Sequence, residues 1–134
     1  MKKYNKLIVE ALSTREQAYA PYSSFKVGAS LLCVGGDIFN GCNIENVSYG
    51  TTICAERVAF SSAIANGKRK FNAIVIVGGR DEVNEFCYPC GACRQFMAEF
   101  CSPDFKIVLF DGINTKVVTL GELLPNAFDK STLK

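Results

Sequence analysis

The sequence predicts an α/β layered domain, a mixed β-sheet with helices packed on it. Three observations predict this. Residues 71–77 (FNAIVIV) are a continuous apolar run apart from Asn72, as expected of a strand covered on both faces. Helical patterns at 54–65 and 91–100 bracket that strand, and the strand–helix–strand unit from 71 to 110 should close as a right-handed parallel crossover. Two more strand patterns, 25–34 and 38–44, meet at Gly35-Gly36, a hairpin signal that adds antiparallel strands.

The elements follow in order. Residues 4–20 carry Leu7, Ile8, Ala11, Leu12, Ala18 and Tyr19 on one helical stripe, and Pro21 lies just beyond it. The hairpin strands at 25–34 and 38–44 come next. Residues 54–65 read as a buried helix stopped by Asn66-Gly67. After the strand at 71–77, a helix from about 91 to 100 is ended by Ser102-Pro103. Residues 105–110 are an apolar strand and 115–119 a short last one. A helical turn is expected at 121–124, before Pro125. The order is α-β-β-α-β-α-β-β, with the final turn appended.

The chain has 134 residues, which fits a single domain spanning 1–134. Its charge, 15 − 13 = +2, is too small to indicate nucleic acid or an anionic membrane as partner. Lys68, Arg69 and Lys70 read as a solvated turn. No window approaches the ~18 apolar residues of a membrane span. The apolar stretch after Met1-Lys2-Lys3 stops at Glu10, so no secretory signal is expected. Seven cysteines cannot all pair internally. A reduced, cytoplasmic protein is the reading. The chain has no histidine, which removes Ser-His-Asp and Cys-His nucleophile systems and histidine-based zinc motifs. A metal here needs Cys, Asp or Glu ligands, and a proton carrier must be Glu, Asp, Lys, Tyr or Cys.

Two segments concentrate chemistry. One is Cys54-Ala55-Glu56-Arg57; the other runs from Cys87 through Pro89-Cys90-Gly91-Ala92-Cys93-Arg94-Gln95. Both fall at expected helix N-termini, where unpaired N–H groups and the helix dipole favour thiolates. Pro89 suits the cap or first turn. Cys90 and Cys93, three apart, share one helix face. With Cys54 they make three thiolate ligands, leaving one position of a tetrahedral zinc shell open for water, as in catalytic sites. Glu56 stands two residues past a ligand, placed to reach that water rather than the metal. Three thiolates leave the centre formally −1 and weaken it as a Lewis acid, while a useful water pKa is about 7 against ~15.7 in bulk. Two helix N-termini and a cation, for which Arg57 is the candidate, oppose that charge. A closed structural site of Cys54, Cys87, Cys90 and Cys93 is the alternative, and a redox C-x-x-C is another. Cys33, Cys42 and Cys101 read as small core residues. At the end of the hairpin, Asn43 and Glu45 should face the same way, with Ile44 turned into the core. An amide and a carboxylate so paired suit vicinal hydroxyls.

These residues resemble the small zinc-dependent cytidine deaminases. The resemblance rests on Phe25-Lys26-Val27-Gly28-Ala29, Asn43-Ile44-Glu45-Asn46, Tyr49, Thr52-Ile53-Cys54-Ala55-Glu56-Arg57, Pro89-Cys90-Gly91-Ala92-Cys93-Arg94-Gln95 and Leu123-Leu124-Pro125-Asn126-Ala127-Phe128. Cysteine-ligated zinc deaminases with a non-ligating glutamate are a described class. The resemblance implies a three-layer α/β/α fold with a five-stranded mixed sheet. It implies one Zn²⁺ per subunit on Cys54, Cys90 and Cys93, with Glu56 carrying protons as water adds at C4 of the pyrimidine and ammonia leaves. It further implies Asn43 and Glu45 as the ribose-binding pair, Phe25 as a pocket wall, Ala55 in the substrate-binding set, and Arg57 and Gln95 as supports behind the ligands. Tyr49 and Phe128 would complete a neighbour's pocket in a homotetramer. The implied function is hydrolytic deamination of cytidine and deoxycytidine in pyrimidine salvage. Val47 departs from the family's small alanine, and Cys87 is an extra thiol without an assigned role.

Two other functions share these motifs. A deaminase of nucleoside antibiotics such as blasticidin S carries the same cysteine elements, but Asn43, Glu45 and Phe25 favour an ordinary ribonucleoside. A non-enzymatic zinc-stabilised module would leave Glu56 without a role. Polynucleotide deaminases usually lead with histidine, absent here, and need a basic groove that a chain of charge +2 barely offers.

Overall fold

The apolar run at 71–77 folds as the central strand of a five-stranded sheet in the order β2-β1-β3-β4-β5. The computed structural model describes residues 2–133; Met1 and Lys134, the ends of the expected 1–134 domain, lie outside them. A 3₁₀ turn, Lys2–Tyr4, leads into α1, Asn5–Arg15. Strands β1, Lys26–Cys33, and β2, Ile38–Cys42, form the hairpin. Helix α2 is Ala55–Ala65, β3 is Phe71–Gly79 and α3 is Gly91–Phe100. Strands β4, Lys106–Phe110, and β5, Thr115–Thr119, precede α4, Leu120–Leu123. β1 runs antiparallel to β2 and β3, β3 and β4 are parallel, and β5 is antiparallel to β4. The mixed sheet is the expected one.

The two-residue period of β3 sorts the core into two layers. Ala73, Val75 and Val77, with Val108 of β4, pack under Leu7, Ile8 and Ala11 of α1. Ile74 and Ile76, with Ile107, Leu109, Ala29 and Leu31, pack under Ala59, Phe60 and Ala63 of α2 and Cys93 and Met97 of α3. That is the three-layer α/β/α arrangement. Two close approaches need glycine. A Cβ on Gly41 would lie 2.4 Å from the Ala55 carbonyl oxygen and 2.5 Å from the Ala59 nitrogen, so β2 and the first turn of α2 touch backbone to backbone. A Cβ on Gly28 would lie 2.1 Å from the Ala11 carbonyl oxygen, and α1 closes on β1 in the same way. The first of these contacts fixes the helix start that carries Cys54.

Several sequence expectations shift. α1 stops at Arg15 rather than reaching residue 20. The chain leaves the helix because the Tyr19 N–H donates to the Asn43 carbonyl and the Glu45 N–H to the Tyr19 carbonyl, a bridge of 3.0 and 2.8 Å. Tyr19 is consequently 57% exposed. β2 ends at Cys42, two residues short, and Ile44 is 42% exposed rather than turned into the core. It pairs on both sides, with Tyr19 and Ile53, as isolated bridges. Of the cysteines read as core fillers, Cys33 is buried while Cys42 and Cys101 are half-buried.

Candidate active site

Cys54 and Cys90 are the N-cap residues of α2 and α3, both in extended backbone. Cys93 sits one turn into α3 and is buried. Pro89 lies just outside the cap rather than within the first turn, and is fully buried. The three sulfurs lie within 4.8 Å of one another, at 3.6 Å for Cys54–Cys90 and 3.4 Å for Cys90–Cys93. A tetrahedron with metal–sulfur bonds of about 2.3 Å has edges of about 3.8 Å, so the cluster is of the size zinc requires. Cys87 lies outside this group, and the closed four-cysteine alternative is not formed.

The three sulfurs are coupled to one another and to a neighbouring cation. Hydrogen bonding from the Cys93 thiol, and then from Arg57 and Cys90, holds the Cys54 thiol well below its ordinary value. Cys93 is raised correspondingly. The Arg57 guanidinium Nη2 lies 3.6 Å from Cys54 Sγ and donates to the Thr52 carbonyl at 3.3 Å. Its Nε is buried without a partner. A buried cation calls for nearby negative charge, and three thiolates around one divalent ion carry a net −1. Zinc therefore fits the donor set, the sulfur spacing and the neighbouring cation.

Glu56, the second residue of α2, is 4% exposed. Burial, with the Cys54 charge adding, pushes its carboxyl up to about 7. A carboxyl poised there can both take and return a proton near neutral pH. Cys87 flanks the same space. Burial first, then the charges of Glu56 and Cys54, pushes its thiol up to about 12, so it stays a neutral wall. A Cβ on Gly78 would lie 2.7 Å from Cys87 Sγ and 3.1 Å from Phe25 Cε1, so that thiol and that ring pack over the same glycine.

A cleft of about 350 Å³ is lined by Tyr22, Ser23, Glu45, Asn46, Tyr49 and Thr52, and Thr52, whose carbonyl accepts from Arg57, lies two residues before Cys54. Glu45 accepts from the Tyr22 N–H at 2.9 Å, the Ser23 N–H at 3.2 Å and the Ser23 hydroxyl. The Ser23 hydroxyl, and then those N–H groups, hold its carboxyl below the usual range. Asn43 does not share this cleft. It is buried, accepts from the Val27 N–H at 2.9 Å and donates to the Phe25 carbonyl at 2.8 Å, pinning the strand that brings Phe25 in. Ala55 is fully buried against β2. Gln95 donates to the Phe128 carbonyl at 2.7 Å, and Arg94 to the Pro89 and Leu123 carbonyls at 2.8 Å each, so α3 holds the C-terminal segment. The Phe128 ring itself is 60% exposed and Tyr49 is 76% exposed. Tyr22 and Ser23 carried no sequence signal beyond a serine-rich turn after Pro21.

Comparison with known proteins agrees with this geometry. Residues 1–109 match the cytidine and deoxycytidylate deaminase zinc-binding region. The chain is 46% identical over 129 residues to a cytidine deaminase of Sporosarcina psychrophila, covering 96% of this chain and 93% of that one. It is 48% identical over 124 residues to one of Halalkalibacterium halodurans, covering 91% of each. The crystal structure of a cytidine deaminase from Burkholderia pseudomallei superposes with a TM-score of 0.87 at 48% identity, covering 93% of this chain and 98% of that one. The chain belongs to the cytidine and deoxycytidylate deaminase family and is a hydrolase of the cytidine deaminase type.

Proposed function

We propose that this enzyme hydrolyses cytidine and deoxycytidine to uridine and deoxyuridine with release of ammonia, as a step of pyrimidine salvage in the cytoplasm. The observation that carries the reading is the joint placement of three converging sulfurs and one buried carboxyl, Glu56, on the first turns of α2 and α3. Cys54, Cys90 and Cys93 would hold one Zn²⁺ per subunit. Bound there, the ion supplies Lewis acidity that makes a water acidic enough to attack.

The chain's own groups do the rest. Glu56 takes a proton from the attacking water and delivers it to N3 of the pyrimidine. It then carries the second water proton to the amine on C4, which leaves as ammonia as the carbonyl forms. A buried carboxyl on the first turn of α2, two residues from Cys54, is placed for both directions of transfer. Arg57 sets its positive charge against Cys54, which spares the thiolate from capturing that proton. Phe25 and Cys87 give the pyrimidine an apolar wall that keeps bulk water out, and Ala55, at the start of α2 between Cys54 and Glu56, belongs to the substrate-binding set. Glu45 accepts from ribose hydroxyls in the open cleft, and Asn43 works beside it by fixing the backbone of Phe25 and Val27. Gln95, on α3, holds the Phe128 backbone through its carbonyl.

The same proposal extends to assembly. The exposed rings of Tyr49, which lines the cleft, and of Phe128, whose carbonyl is held by Gln95 of α3, are surface that a monomer has little reason to present to water. A homotetramer in which they close a neighbour's pocket accounts for both. The seven cysteines, all free, fit a reducing compartment. The test is direct: the purified protein is mixed with cytidine, and the absorbance change to uridine is followed alongside ammonia release. Turnover that needs zinc and gives equal uridine and ammonia supports the reading, and zinc-loaded protein without turnover sinks it.

A further inference from the structure

The loop between α1 and β1 carries an unusual commitment. Ser24 adopts a positive φ of 62°, a left-handed conformation uncommon for non-glycine residues. Its N–H closes a turn onto the Ala20 carbonyl at 3.0 Å. Ser23, just before it, makes three contacts with Glu45 and Phe25. Its hydroxyl donates to Glu45 Oε2, its N–H donates to Glu45 Oε1, and its oxygen accepts from the Phe25 N–H at 3.0 Å. With the Phe25 N–H on the hydroxyl oxygen, the hydroxyl proton is free to point at the carboxylate.

A carboxylate offers about four acceptor positions. Tyr22 and Ser23 fill three of those on Glu45, and one is left in the cleft. A surface glutamate without such ties samples many rotamers, and a ligand that needs one of them must bear the ordering cost. Strained backbone persists where surrounding contacts hold it and clusters at ligand clamps.

We propose that Ser23 is a positioning residue that fixes the Glu45 carboxylate in advance for a ribose hydroxyl, and so sets the enzyme's preference for nucleosides with an intact sugar. This rests on the reading of Glu45 as a ribose-binding group. Ser23 touches the carboxylate and not the reacting base, so its effect falls on affinity rather than on the chemical step.

The experiment measures kcat and KM for cytidine and for 2′,3′-dideoxycytidine, which lacks the hydroxyls, with zinc content and Tm for each protein. Ser23→Ala lowers kcat/KM on cytidine by about three- to tenfold through KM, as expected for one lost hydrogen bond, and leaves the dideoxy value unchanged. Ser23→Thr keeps the hydroxyl and restores the cytidine value. Ser23→Gly also lacks the hydroxyl and repeats the loss in a backbone that any turn accepts. In a Glu45→Ala background, Ser23→Ala has no further effect. Equal losses on both substrates, or an undiminished Ser23→Ala loss without Glu45, overturn the proposal and assign Ser23 to the support of Phe25. A wild-type enzyme that treats both substrates alike overturns the ribose reading of Glu45, and the role of Ser23 with it.

Discussion

The two halves of the site are built on opposite plans. Cys54, Glu56, Cys90 and Cys93 stand on the first turns of two helices whose inner faces, Ala55, Ala59, Phe60 and Met97, are fully buried. Glu45, Ser23 and Tyr22 stand on chain between elements, tied by side-chain hydrogen bonds and isolated bridges at the surface, and Tyr49 opens a short 3₁₀ turn, Tyr49–Thr51, beside them. Ligands of an ion and a proton carrier need fixed separations, and helix starts anchored in a core provide them, with Cys93 and Glu56 buried and Cys90 at the open side of the cluster. A group that recognises a sugar must be reached from water, and loops give access. Substitutions should therefore separate cleanly: turnover fails in the helix-borne half, with the metal when a cysteine is lost and without it when Glu56 is, and affinity alone fails in the loop-borne half.

The largest effect belongs to the ligands. Cys54→Ala, Cys90→Ala and Cys93→Ala should each lose zinc and with it all turnover, whereas Cys87→Ala, Cys33→Ala and Cys101→Ala keep the metal. Metal analysis of the purified variants decides this, and zinc loss in Cys87→Ala would contradict a three-cysteine centre. Next comes Glu45→Ala, which should lower kcat/KM on cytidine by about tenfold or more while leaving zinc and the poor rate on free cytosine unchanged. A parallel loss on both substrates would make Glu45 a support of the fold and blur the comparison.

Smaller is Phe128→Ala. One aromatic contact is worth about 0.5–1.5 kcal/mol, so KM should rise about two- to tenfold with zinc retained. Recovery of affinity on reassembling Phe128→Ala subunits with Glu56→Gln subunits would show that the ring acts across an interface, and sedimentation of the wild type as a monomer would refute a shared site. The smallest effect is on stability against pH. Glu45 is held below its usual range when folded. Its contribution is complete above the unfolded value of about 4.3 and is lost as pH falls through the lower folded value. Tm differences between wild type and Glu45→Ala should thus shrink only in acid, and a constant difference down to low pH would speak against the tie to Ser23.

Much of the helix-borne half is legible in the sequence, because its signals are local. The helix over 91–100 is found with its bounds unchanged, and the cap positions of Cys54 and Cys90 follow from a short spacing and a proline. The loop-borne half is not legible, because its contacts are distant in the chain. Ser23 and Glu45 are 22 residues apart, and no periodic pattern links them. The same pairing of 19–25 with 43–45 cuts α1 short and turns Ile44 outward. Arg15 is a further case. It is buried where a surface arginine would be expected, because its guanidinium Nη2 donates to the Gly79 carbonyl at 2.7 Å and Nη1 pairs with Glu16 at 2.8 Å. Glu16 is its neighbour in the chain, but only the folded end of β3 supplies the Gly79 carbonyl.

The separation of metal holding from proton transfer is tested most directly by Glu56→Gln, with zinc content and cytidine turnover measured on the same sample. The substitution keeps the side chain's shape and removes its proton carrier. Zinc should remain at the wild-type level while kcat falls by about 10²–10⁴-fold or more, since one group makes several transfers. Turnover near the wild-type rate in zinc-loaded Glu56→Gln would contradict the account.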